Sequence, residues 1–91
     1  MSEPTGRVCV ASNALFQYLG DEAVLLSQDQ GRYYGLDPIA TRMWQLLAEH
    51  GDPEAVVKQM CAEFDVDETV LRADLAAFIA KMVAAELLVV A

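Results

Sequence analysis

Histidine is almost missing from this chain: His50 stands alone. Cysteine occurs twice, as Cys9 and Cys61, and never as CxxC. Zinc-ligand spacing needs several such residues close together, so no metal site is expected. The two thiols are expected to be separate and partly buried rather than joined. A Cys–His catalytic pair is disfavoured, because His50 suits the end of a helix through its dipole and Cys61 falls inside an apolar helical pattern. Serine is limited to Ser2, Ser12 and Ser27, and none lies in a GxSxG elbow. GxGxxG and Walker patterns are absent, as is the Asp-Ser-Leu triplet of an acyl carrier protein. The chain is therefore not expected to be an enzyme or to hold a cofactor.

Positive charge is also scarce, with 6 basic residues against 14 acidic ones and a net charge of −8. Such a chain is repelled by nucleic-acid phosphates and by anionic lipid, and a basic or neutral peptide suits it better. The carboxylates Glu63, Asp65, Asp67 and Glu68 cluster at a helix junction, where such a run is normally a solvated cap. No apolar run approaches the ~20 residues of a membrane span. The segment MSEPTGR lacks the charged-then-apolar order of a signal peptide, so a cytoplasmic protein is expected.

Hydrophobic residues are plentiful, at 55% of 91. A chain this short buries only about 60–65% of its unfolded surface, so either the core is padded with alanine, as it partly is, or some apolar surface serves a partner. Residues 1–7 are polar, with Pro4 and Gly6, and read as a loose tail, inside a segment 1–12 expected to be loosely ordered or variable. VCVASNALFQYL follows, strand-like but imperfectly alternating, and Gly20-Asp21 marks a turn. EAVLLS (22–27) and RYYGL (32–36) read as strands on either side of a polar link ending in Gly31. Asp37-Pro38 is a cap followed by proline at the first helical position, and Asp52-Pro53 repeats it. Helices are predicted over 38–49 and 53–64, and a third from Asp67 or Thr69 to about Glu86. LLVVA is expected to end the chain as an extended tail. Strands first and helices second argue α+β, with helices packed on one face of a small three-stranded antiparallel sheet.

Two features point to binding. The last strand of a three-strand meander is an edge, and RYYGL carries only Arg32 as a guarding charge. Gly35 lets another backbone approach closely. The third helix carries an apolar arc of about 220°, far wider than the ~100° needed to bury one face. An unguarded edge beside a wide apolar helix is suited to β-strand addition by a peptide. A DNA-binding winged helix is disfavoured, because Asp67, Glu68, Asp74 and Glu86 outnumber Arg72 and Lys81 on the would-be recognition helix.

The ordered set EAVLLSQDQGRYYGLDPIATRMWQLL and DPEAVVKQMCAEFDVDETVLRADLAAFIAKMVAAELL resembles the PqqD family, the small peptide-recognition domains of ribosomal-peptide biosynthesis called RiPP recognition elements. The resemblance covers roughly residues 14–88. It implies a winged-helix-like domain that binds the leader segment of a precursor peptide by strand addition. On this resemblance Arg32, Tyr33, Tyr34, Gly35 and Leu36 would pair with the leader. Leu71, Asp74, Leu75, Phe78 and Met82 would line the groove, with Asp74 meeting a basic or hydroxyl side chain. Trp44 and Leu47 would hold the first helix in the core. A discrete copy with GRYYGLD is most similar to the leader-binding proteins of lasso-peptide pathways, which deliver the precursor to a separate cysteine protease. A pyrroloquinoline-quinone precursor chaperone of a radical-SAM enzyme is the next expectation. A small acidic winged-helix regulatory protein, its edge strand covered by self-association, is the remaining alternative. Tyr34→Pro is expected to abolish capture by removing a ladder donor or distorting the strand.

Overall fold

The computed structural model describes residues 6–90. In chain order the elements are β1 (Val8–Val10), β2 (Ala14–Leu19), β3 (Glu22–Ser27), β4 (Arg32–Leu36), α1 (Pro38–His50), α2 (Pro53–Glu63), α3 (Glu68–Ala84) and β5 (Leu88–Val90). Strands β2, β3 and β4 form an antiparallel sheet in that order, and three helices follow, as the α+β expectation requires.

Local chemistry sets most boundaries. Gly20 has φ 67°, while Asp21 is not in the left-handed region, so β2 and β3 are joined by a two-residue turn of the II′ type. The Asp37 side chain accepts from the Ala40 N–H at 2.8 Å and starts α1, with Pro38 next to it. Asp52 accepts from the Glu54 N–H at 3.1 Å and starts α2 in the same way. Asp67, not Thr69, caps α3 and accepts from the Thr69 and Val70 N–H groups. Gly51 ends α1 at φ 71°, and there the chain has no room for a side chain: a Cβ would lie 2.8 Å from the Val8 carbonyl oxygen. α3 stops two residues earlier than the periodicity suggests. Its end closes with Leu87 N–H donating to Met82 O and Glu86 N–H to Val83 O, which puts Glu86 itself at φ 62°.

The loose segment expected over 1–12 is corrected from Val8 onward. β1 pairs with β5 in the register Val8↔Val90, Cys9↔Val89 and Val10↔Leu88. Val8 and Ala11 are buried, and the Val8 N–H donates to Gly51 O at 2.9 Å. The tail LVV supplies the missing ladder, so neither end of this pair is free. Residues 1–5 of that segment lie outside the described residues. Both cysteines are free thiols, as expected, but only Cys61 on α2 is half-buried; Cys9 on β1 is exposed, which corrects the expectation that both are partly buried.

The core lies between the inner sheet face and the helices. Ala23, Leu25, Ser27 and Leu36 face inward, over Trp44, Leu46 and Leu47 of α1. Phe16 of β2 meets Trp44 edge-on, with ring centroids 5.5 Å apart. Trp44 and Leu47 thus anchor α1 as anticipated.

Ion pairs tie the helices at the surface. Arg42 of α1 grips both carboxylate oxygens of Glu63 at the end of α2. Arg72 of α3 joins Glu54 of α2 and Glu68 one turn earlier. Hydrogen bonds from Arg42 and Gln59 hold the Glu63 carboxyl at about 2, against an ordinary 4.5. The folded state therefore favours the ionised form. Its contribution is complete above the ordinary value and is lost as pH falls from there through about 2. The thermal midpoint is expected to drop across that window, and the drop should be shallower in Glu63→Gln. Melts followed by circular dichroism between these pH values check this.

Candidate peptide-binding site

The backbone of β4 decides what this edge can do. In the two-residue β2–β3 hairpin, Leu19 and Glu22 are the hydrogen-bonded pair. Alternation along β3 then directs Val24 and Leu26 toward β2, and Ala23, Leu25 and Ser27 toward β4. Their partners on β4 are Leu36, Tyr34 and Arg32. Tyr33 and Gly35 are left to turn their N–H and C=O groups outward, along an edge that pairs with no other strand among the described residues. Two outward residues spaced by one are the repeat that an added strand reads.

The side chains alternate the other way up. Tyr33 (72% exposed) and Gly35 lie on the outer sheet face, beside Leu15, Val24 and Leu26. Leu15, Val24, Leu26 and Tyr33 line a shallow depression of about 210 Å³ there. Arg32, Tyr34 and Leu36 belong to the inner side. Arg32 is exposed, Tyr34 is half-buried with its hydroxyl donating to Gln30 Oε1 at 3.4 Å, and Leu36 is core. The Leu36 carbonyl already accepts from Thr41 Oγ1 at 3.2 Å, so this residue closes the site rather than pairing outward.

The helical wall differs from the sequence expectation. Leu71, Leu75 and Met82 are buried, at 4%, 2% and 0% exposure, and anchor α3 in the core, with Leu75 also at the floor of a groove on the α2 side. Asp74 is exposed and Phe78 is half-buried against the core, so these two present the surface. α3 packs mainly on α2 and β5, whereas β4 packs on β3 and α1, and α3 does not cover the β4 edge. The surplus of the wide apolar arc goes elsewhere. Ile79 and Val83 line an apolar groove of about 490 Å³ with Val57 of α2 and Val90 of β5, bounded at one end by the Glu54–Arg72 pair. Sequence reasoning missed Leu15, Val24 and Leu26 as neighbours of Tyr33. The signal was the run EAVLLS, apolar on both faces where a half-exposed strand would alternate.

The comparisons with known proteins bear on this geometry. The family model for Coenzyme PQQ synthesis protein D (PqqD) matches residues 22–88, from the start of β3 into β5. The chain belongs to the PqqD family. Two solved structures are similar to it. TbiB1 in complex with the TbiA(beta) leader peptide is 37% identical, with a TM-score of 0.83, covering 87% of this chain and 92% of that one. Lasso peptide synthetase B1 complexed with the leader peptide is 20% identical, with a TM-score of 0.82 over 91% of this chain and 98% of that one, a likeness of fold. Among curated protein sequences none matches. The PqqD match begins after β2, so β1 and β2 lie outside it while the whole β4 edge and α3 lie within. No described helix of this PqqD-family chain is long and apolar enough to cross a membrane.

Proposed function

We propose that the chain is a single peptide-recognition domain of the PqqD type, acting as a non-catalytic adaptor. It captures the leader segment of a ribosomally made precursor peptide and presents that precursor to a separate modifying enzyme or protease, in lasso-peptide biosynthesis. The observation that carries this is the open edge of β4, where Tyr33 and Gly35 hold backbone groups that pair with no other strand among the described residues. The leader adds as a fourth strand. Its alternate side chains then lie toward Tyr33 on the outer face and toward Tyr34 and Phe78 on the inner side. Backbone pairing sets the orientation and the side-chain surfaces set the selectivity. A net charge of −8 favours encounter with a basic leader, and Asp74 stands at the helical wall to receive a basic or hydroxyl group. The cytoplasm, where such precursors are made, is the compartment this role requires.

A second reading has its own support. The matching family is described by coenzyme PQQ synthesis, which favours capture of that precursor for a radical-SAM enzyme. The 37% identity to a leader-bound TbiB1 favours the first. An NMR amide titration with synthetic leaders from precursor-like reading frames beside the gene tests both. Shifts confined to 31–36 and to the exposed side of 70–83 support capture, and the leader that binds names the pathway. No shift with any of these leaders, together with a dimer joined through β4, rejects capture in favour of a regulatory protein.

A further inference from the structure

β4 and α3 are the two walls of the proposed leader site, yet they make their main contacts with other elements. Something else has to set the gap between them. Asn13, in the turn between β1 and β2, is bonded to the segment leading into β4 and to the one leaving α3. Its Nδ2 donates to the Glu86 carbonyl oxygen at 2.9 Å, at the end of α3. Its Oδ1 accepts from Ser27 Oγ at 3.1 Å and from the Asp29 N–H at 3.2 Å, in the hairpin leading into β4. Its main-chain oxygen accepts from the Gln28 N–H at 3.1 Å and from Gln28 Nε2 at 3.2 Å.

Both attachments are firm. Ser27 is fully buried, and its Oγ also receives the Gln30 N–H at 3.4 Å. Gln30 in turn accepts from the Tyr34 hydroxyl, which carries the network onto β4 itself. At the other end Glu86 has left-handed backbone, φ 62°, a conformation unfavourable for a residue with a side chain. Bonds from Leu87 and Glu86 back to Met82 and Val83 hold it there and aim its carbonyl at Asn13. Only a side chain with both an acceptor and a donor makes both arms, and an amide has both.

We propose that Asn13 is a positioning residue for leader capture. It fixes the hairpin that leads into β4 relative to the C-terminal end of α3, acting through Ser27, Asp29 and Glu86. This rests on the leader-capture reading above. An added strand must sit about 4.8 Å from β4 while its inner side chains meet α3. Backbone hydrogen bonds weaken once donor and acceptor part beyond about 3.2 Å, so a small drift of either wall costs affinity.

Asn13→Asp separates the two arms. The carboxylate keeps both acceptors for Ser27 and Asp29 but has no donor for Glu86. The probe is a fluorescein-labelled synthetic leader that the unmodified chain binds, with Kd read by anisotropy. Amide exchange of Asp29, Gly31 and Leu87 is read in the leader-free protein, and the folded fraction by a thermal melt. Asn13→Asp is expected to leave Asp29 protected, speed exchange at Leu87 and weaken binding about three- to tenfold while still folded. Ser27→Ala, which loosens only the hairpin arm, is expected to weaken binding by a similar factor with Leu87 unaffected. Unchanged affinity in a folded Asn13→Asp with faster Leu87 exchange overturns the proposal, because the clamp is then structural alone. A loss fully accounted for by the unfolded fraction also overturns it. If the unmodified chain binds no leader, the capture reading fails and takes this one with it. Binding by the unmodified chain with an unaffected Asn13→Asp rejects this one alone.

Discussion

Tyr33→Pro is expected to weaken leader binding roughly 5- to 160-fold, equivalent to about 1–3 kcal/mol, while the sheet stays folded. The reason is the parity of β4. The Tyr33 N–H faces the open edge, so proline there removes a donor the leader needs and no bond to β3. Edge positions of this kind are where strands tolerate proline. The added strand would bring a carbonyl to a position with no partner, and an unmet acceptor costs more than the bond it replaces. Tyr34→Pro, which the sequence alone suggested as the disruptive change, acts elsewhere. Tyr34 pairs with Leu25, whose side chain is fully buried. Proline there breaks the β3–β4 ladder and is expected to cost about 1–3 kcal/mol of fold stability before any leader is added. Tyr33→Ala serves as the control, since it keeps the N–H and loses only the ring. Anisotropy titrations beside thermal melts separate the three. Equal affinity for Tyr33→Pro and the unmodified chain would rule out strand addition at β4.

Trp44→Ala is expected to destabilise the fold by about 3–5 kcal/mol. A domain of this size has only about 5–15 kcal/mol in total, so much of the population would unfold on mild heating. Trp44 is fully buried under the inner sheet face, with Phe16 edge-on to its ring. Its removal leaves a void between α1 and the sheet that carries the proposed binding edge. Trp44→Phe is a different case. The indole Nε1 is buried and has no hydrogen-bond partner among the described residues, so losing that donor offsets part of the lost ring volume. Its stability is expected to fall within about 1 kcal/mol of the unmodified chain. Urea denaturation of both variants measures the contrast. A large loss in Trp44→Phe would show that the indole N–H contributes to stability after all.

The parts of the fold legible in the sequence are those built by neighbours along the chain. Asp37-Pro38 and Asp52-Pro53 each start a helix because an aspartate oxygen caps bare N–H groups and proline has none to waste. Gly20 and Gly31 mark the two hairpins of the sheet because positive φ is easy for glycine. The sequence also showed that the last strand of the meander is poorly guarded, and that α3 is apolar around more of its surface than one interface needs. What it could not show is which apolar residues are covered. Periodicity groups Leu71, Leu75, Phe78, Ile79 and Met82 on one broad arc. Packing buried Leu71, Leu75 and Met82, left Phe78 half open, and turned Ile79 toward a groove shared with α2.

The longest-range features were the least visible. Val8 and Val90 pair across nearly the whole chain, and nothing in either short segment encodes its partner's register. Asn13 sits unremarked in the strand-like run VCVASNALFQYL until Ser27, Asp29 and Glu86 are brought around it. The sequence by itself determined the order of elements, their caps, the acidic character and the presence of an edge strand, because these depend on local conformation and composition. The tertiary structure alone decided which backbone groups of β4 point outward, which face of α3 stays open, and which distant segments meet at Asn13. Those follow from strand register and from how apolar surfaces dock, and both are settled by contacts between residues distant in the chain.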